Sequence, residues 1–194
     1  MLFQCVQHLA MNLFKGEYDH HLNYEDDLDP EIPLMKARSK GGTMILWKKS
    51  ITQYVSIFTD IHSSGFLPLI LSFPGLPISI HIAIYLPTAG QDSNFVEELV
   101  GLDACIEKLF EKYPDAVLFI RGDGNVNFKD KNRTTIFQKF CTDWGLLASD
   151  IGHNTYHHFV GDGASDSQLD VLLCSRKFKS NEKFEKLFCK FLHQ

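Results

Sequence analysis

At 194 residues, with 44% hydrophobic and 12% aromatic content, the chain is long enough to bury a core as one domain, and it carries no low-complexity tract that would mark it as disordered. A formal net charge of −5 excludes a uniformly basic nucleic-acid binder, so any field that attracts phosphate has to be local. The five cysteines, at 5, 105, 141, 174 and 189, are odd in number and form no CxxC pair, which predicts reduced thiols in an intracellular protein rather than a disulfide scaffold.

"LFQCVQ" (2–7) alternates loosely and predicts a short strand. From there to about residue 35 the chain reads as polar and irregular, with an acidic cluster at Glu25, Asp26, Asp27 and Asp29. "GGTMILWKK" (41–49) reads as a glycine-opened strand, and "ITQYVSIF" (51–58) as another, from its β-branched and aromatic residues. "FLPLILSFPGLPISIHIAIYLP" (66–87) approaches the length of a membrane span. Its four prolines and His81 predict instead two strands joined at "PGLP", with Ile78, Ile80, Ile82 and Ile84 facing one way. No basic segment followed by an apolar run opens the chain, so no secretory signal and no membrane partner are expected.

In "DSNFVEELVGLDACIEKLFEKYP" apolar residues recur at helical spacing from Phe95 to Phe110. Asn94 and Glu97 resemble a capping box, and Pro114 closes the helix. The strand opening "LFIRGDGNVNF" (118–128) follows, and then a second helix with Ile136, Phe137, Phe140, Cys141 and Trp144 on one face. "TYHHF" and "SQLDVLLCS" read as strands flanking the loop "VGDGASD", which is either an ordinary glycine-rich hairpin or a groove-probing loop. The tail from 179 has helical periodicity, although its last residues equally suit a strand. Neighbouring strands with few helices between them predict an α/β (α+β) domain with mixed or antiparallel sheets.

"LFIRGDGNVNF" changes from core residues to Asp123, Asn125 and Asn127 within a few positions. A carboxylate and an amide at a strand end suit phosphodiester hydrolysis: the carboxylate orients and deprotonates water, and the amide hydrogen-bonds the phosphate or the nucleophile. The same residue types also build plain turns. "IAIYLP" places Tyr85 at another strand end, "NTYHH" places Thr155, and "SDSQLDVLL" places Asp170.

In this order, Gly-Gly strand, YLP, helix, GDxN, helix, TYHH and SDSQLDVLL, the chain resembles the endonuclease/exonuclease/phosphatase superfamily from about residue 2 to 189. The nearest resemblance is to the endonuclease domain of non-LTR (LINE-type) retrotransposons. The resemblance implies a four-layer sandwich of two mainly antiparallel β-sheets flanked by helices, as a single domain over 1–194 that is truncated at both ends. It implies Mg²⁺-assisted cleavage of a DNA phosphodiester that leaves a 3′ hydroxyl. Asp123 then activates water and binds metal, with Asn125 as its orienting partner. Tyr85 and Thr155 lie at the scissile phosphate, and Asp170 positions a histidine. Apart from the resemblance, the basic run "KARSKGGTMILWKK", with Lys40, Lys48 and Lys49, is either a solvated strand flank or a phosphate-contacting edge, and in the second case these lysines and Arg121 are the expected nucleic-acid contacts.

The chain departs from the family pattern at both ends. Gln7 is followed by His8, where the family has a Gln-Glu pair whose acid is the principal metal ligand, and His193 lies outside the Ser-His-Asp context expected after the last strand. Mg²⁺ is therefore expected to be weak or absent, and activity weak or nil. His153, His157 and His158 lack the further ligands zinc requires. A non-catalytic nucleic-acid or protein binding remnant is the second reading, and a small-molecule or lipid phosphatase the third. An isolated domain of this kind is expected to be monomeric and located in the nucleus or cytoplasm.

Overall fold

The computed structural model describes residues 16–24, 42–88, 90–126, 131–148, 156–160, 163–167 and 170–175. The strand expected at 2–7 and the tail from 179 lie outside them. The described chain forms β1 (Tyr18–Tyr24), β2 (Gly42–Lys48), a 3-10 helix (Lys49–Tyr54), β3 (Val55–Ile57), β4 (Phe66–Leu71), β5 (Ser79–Tyr85), α1 (Asp92–Lys112) and β6 (Val117–Asp123). It continues through α2 (Lys131–Asp143), β7 (Leu146–Ala148), β8 (Tyr156–Val160), β9 (Gly163–Ser167) and β10 (Asp170–Ser175).

The main sheet has six strands in the order β3-β4-β5-β6-β10-β7. Every pairing in it is antiparallel except β5 with β6, which run parallel because α1 carries the chain back between them. One face of this sheet holds the core. Ile80, Ile82 and Ile84 of β5 alternate with Ser79, His81, Ala83 and Tyr85, and with Leu118, Ile120, Val171 and Leu173 they meet Phe95, Leu102, Ile106 and Leu109 of α1 and Phe137 of α2. Each such aliphatic side chain, fully removed from water, stabilises the fold by about 2 kcal/mol. The expected hairpin at 66–86 is therefore present, and Ile78 packs at the edge of the same cluster.

The opposite face carries Leu67 and Leu69 on β4 and Val117 and Phe119 on β6, all buried. A two-stranded antiparallel sheet of β1 and β2 lies over β4 and β5 on this side, tied down where Asn23 Nδ2 donates to the Ser63 carbonyl. Two sheets with helices make this an α+β sandwich. A third pair, β8 and β9, forms its own hairpin.

Several expectations are corrected. The stretch read as irregular contains β1, whose polar "YDHHLNY" is held as a strand by seven register pairs with β2 rather than by its own apolar pattern. Residues 51–54 coil into the 3-10 helix, and only 55–57 extend into a strand. Helix α1 begins at Asp92, so Asn94 lies inside its first turn, and the cap residue Gln91 makes no side-chain capping bond. The stretch 163–167, read as loop, is strand β9, which favours the hairpin reading of "VGDGASD". Ile136 is 40% exposed, because Arg133, Phe137 and Phe140 form the buried stripe of α2 and leave Ile136 one step around the helix. Strand β7 went unread.

Gly122 carries the tightest constraint in the sheet. Its φ is +132°, and a Cβ there would sit 2.1 Å from the Ile84 carbonyl oxygen. Gly122→Ala is expected to lower stability by about 3 kcal/mol or more, read as a drop in the urea midpoint, because both the backbone strain and the backbone clash oppose it.

Candidate active site

Strand register brings three of the expected residues together. Tyr85 at the end of β5 pairs with Asp123 at the end of β6, and Asp123 pairs with Asp170 at the start of β10. At about 4.8 Å between strands, the phenol and the two carboxyls form a row about 10 Å long. Tyr85 is 38% exposed, and Asp123 and Asp170 are half-buried. The parallel β5–β6 pair matters here: it puts the C-terminal ends of both strands, and the loops that leave them, on the same edge.

Asn125 joins this row through its backbone. Its N–H donates to Asp123 Oδ1 at 2.9 Å, closing a turn that asparagine tolerates at φ +47°, and its Nδ2 donates to the Leu86 carbonyl at 2.7 Å. The amide thus ties the loop after Asp123 to the loop after Tyr85. Leu86 N–H returns a bond to the Asp123 carbonyl at 2.9 Å. Burial pushes the Asp123 carboxyl above its ordinary value; the backbone bond from Asn125 pulls the other way, the charge of Asp170 pushes it up further, and the Asn125 side chain again opposes.

Thr155 and Lys40 lie outside the described residues, as do Gln7 and His193. Lys48 and Lys49 stand at the junction of β2 and the 3-10 helix, where the Lys49 N–H donates to the Glu17 carbonyl at 2.8 Å. Of the expected cationic residues, Arg121 is the one that shares a strand with Asp123.

Arg133 was not anticipated, and it organises both loops. Only 3% of its side chain is exposed. Its Nη1 donates to the Pro87 carbonyl at 2.8 Å and to the Asn125 carbonyl at 3.3 Å, and its Nη2 to the Thr88 carbonyl at 2.7 Å. Its Nε meets Asp92 Oδ1 at 2.7 Å, and the guanidinium lies 4.6 Å over the Phe95 ring. The signal was present in the sequence: residues 133, 137 and 140 share one helix face, and an arginine there replaces a core residue.

His81 was also passed over. Arg121 Nη2 lies 2.9 Å from its Nδ1 and can only donate, so Nδ1 accepts and Nε2 carries the proton toward Ser79 Oγ, 3.0 Å away. The ring stacks on Phe119 at 4.9 Å between centroids. Burial, and secondarily the charge of Arg121, lower its pKa to about 3.

Chemically, the row offers two carboxylates, whose oxygens are hard donors, and a phenol. Among the described residues no group of three His, Cys, Asp or Glu gathers around a point. Mg²⁺ is commonly held by one or two carboxylates with the rest of its shell as water, so the pair Asp123 and Asp170 fits it, and a divalent cation there would offset the like charge that adds to the burial of Asp123.

Two outcomes are expected from these contacts. Arg133→Met removes the guanidinium while keeping the stem; it is expected to cost about 3 kcal/mol by denaturant melting and to speed amide exchange at Leu86. Thermal stability is expected to fall as pH drops from 6.5 toward 3, because His81 stays neutral in the fold down to about 3 while the unfolded ring takes up a proton below about 6.5. In His81→Phe the melting temperature should fall less steeply over that interval.

No family model and no curated protein matches the chain. Solved structures do. The endonuclease domain of TRAS1, a telomere-specific non-LTR retrotransposon, superposes with a TM-score of 0.63 at 11% identity, over 89% of this chain and 79% of that one. The mannosyl-6-phosphatase of Bacteroides thetaiotaomicron matches with a TM-score of 0.55 at 14% identity, over 88% of this chain and 68% of that one. An endonuclease/exonuclease/phosphatase family protein from the same organism matches with a TM-score of 0.54 at 14% identity, over 88% and 66%. At such identities the likeness is one of fold, and the chain has the fold of the endonuclease/exonuclease/phosphatase superfamily, that of a non-LTR retrotransposon endonuclease domain among others.

Proposed function

We propose that the chain is a Mg²⁺-dependent phosphodiesterase domain of retrotransposon origin, spanning 1–194, that nicks duplex DNA weakly. The reading is carried by the row of Tyr85, Asp123 and Asp170 on adjoining strand ends. It is supported by the fold shared with the TRAS1 endonuclease domain.

In this reading Asp123 takes the proton from the attacking water, a role suited by its raised pKa. Asn125 fixes the direction of that carboxylate through its bond to Oδ1. The Tyr85 phenol, half in solvent, donates to a phosphate oxygen, and Thr155 supplies a hydroxyl beside it. Asp170 is the second acid of the row. Asp123 and Asp170 would hold a Mg²⁺, which would supply charge to offset that developing on the phosphate. Lys40, Lys48, Lys49 and Arg121 contact the DNA backbone. The domain acts as a monomer inside the cell. Among the described residues no helix is long and apolar enough to cross a membrane.

With two carboxylates and no acid after Gln7, turnover is expected to be low. The same shortage favours the second reading, a binding remnant that keeps the fold without the chemistry.

The test is conversion of supercoiled plasmid to the nicked form, in Mg²⁺ and in EDTA. Slow, Mg²⁺-dependent nicking that falls at least about 100-fold in Asp123→Ala supports the proposal. Duplex binding without nicking selects the remnant, and vigorous nicking overturns the claim of weak turnover.

A further inference from the structure

The row of Tyr85, Asp123 and Asp170 carries two acids, and a phosphodiester is an anion. A substrate that docks there needs a cation beyond the one those acids hold, or it is repelled. Arg121 is placed to provide it. It precedes Asp123 by two residues on β6 and stands in register between Ala83 and Leu172. Part of its side chain is exposed, and its register partner on β5 is the small Ala83. Two residues along a strand span about 7 Å, within the reach of an arginine side chain that turns about its own bonds.

In the free protein the guanidinium points the other way. Its Nη2 donates at 2.9 Å to Nδ1 of His81, whose other nitrogen is committed to Ser79 and whose ring is fixed on Phe119. His81 is therefore a neutral, single-point acceptor. A phosphodiester presents two charged oxygens that a guanidinium can grip together, and such charge-assisted bonds are roughly twice as strong as those to neutral acceptors. The acceptor that holds Arg121 at rest is thus the weaker one.

Resting on the reading above that the row binds a phosphodiester, we infer that Arg121 is a phosphate-binding residue held on His81 in the free protein, and that it crosses to the substrate phosphate when the row is occupied. His81 then serves as a parking acceptor whose Nδ1 is released by binding.

The experiment uses the full chain labelled with ¹⁵N-histidine, with His81→Phe to assign the resonance, and a short DNA duplex added in Mg²⁺, with a gel of the same sample showing that the duplex is intact. The expected result is a change in the His81 Nδ1 shift that saturates with the duplex. In parallel, fluorescence anisotropy is expected to show duplex affinity about tenfold weaker in Arg121→Ala, with the salt dependence reduced by about one counterion. Affinity should be partly kept in Arg121→Lys, and unchanged or tighter in His81→Phe. An Nδ1 shift that stays constant at saturating duplex, or an Arg121→Ala protein that binds as the parent does, overturns the inference. The shift is read on the parent chain and needs no variant at Arg121 to fold. A chain that binds duplex and moves the His81 signal but does not nick plasmid upholds Arg121 and refutes turnover; a chain that binds no duplex refutes both.

Discussion

The candidate site depends on one guanidinium placed where a core side chain is expected. Arg133 reaches from α2 into the space between two loops and satisfies carbonyls on both, those of Pro87 and Thr88 after Tyr85 and that of Asn125 after Asp123. Neither loop has regular structure to hold it, and buried carbonyls without partners are costly. A cation with five donors in a rigid plane meets that need in a way no apolar residue does. Asp92 and the Phe95 ring complete its surroundings, so the start of α1, the start of α2 and both loops form one unit.

Beneath that unit, the sheet does the coarse positioning. The single parallel pair aligns the ends of β5 and β6, and β10 enters antiparallel beside them. Gly122 allows the close approach: its backbone runs so near the Ile84 carbonyl that no side chain fits between. The row is thus a product of topology first, and of side-chain bonds such as Asn125 to Leu86 second.

Much of this was legible in the sequence. The alternation of isoleucines in β5, the helical spacing of α1 and the switch from Ile120 to Asp123 all reflect local patterns, and local patterns survive in one dimension. The polar strand β1 was not legible, because its conformation comes from pairing with β2. The capping-box reading failed because the bond from Arg133 to Asp92 and the packing of Phe95 set where α1 begins. Arg133 and His81 were missed for a shared reason: each draws its meaning from partners about forty residues away. The resemblance names residues from distant parts of the chain because a family pattern encodes such relations, which local periodicity does not.

The register of β10 has a further consequence. Val171, Leu173 and Ser175 face inward, and Asp170 and Leu172 take the alternate positions. A slip of one residue exchanges those faces, driving Asp170 into the apolar core and Val171 into the row. The penalty for burying a carboxylate among apolar side chains therefore polices the alignment of the strand. Asp170 is thus a proofreading device of the fold: the register that spares it burial in the core is the one that sets it beside Asp123.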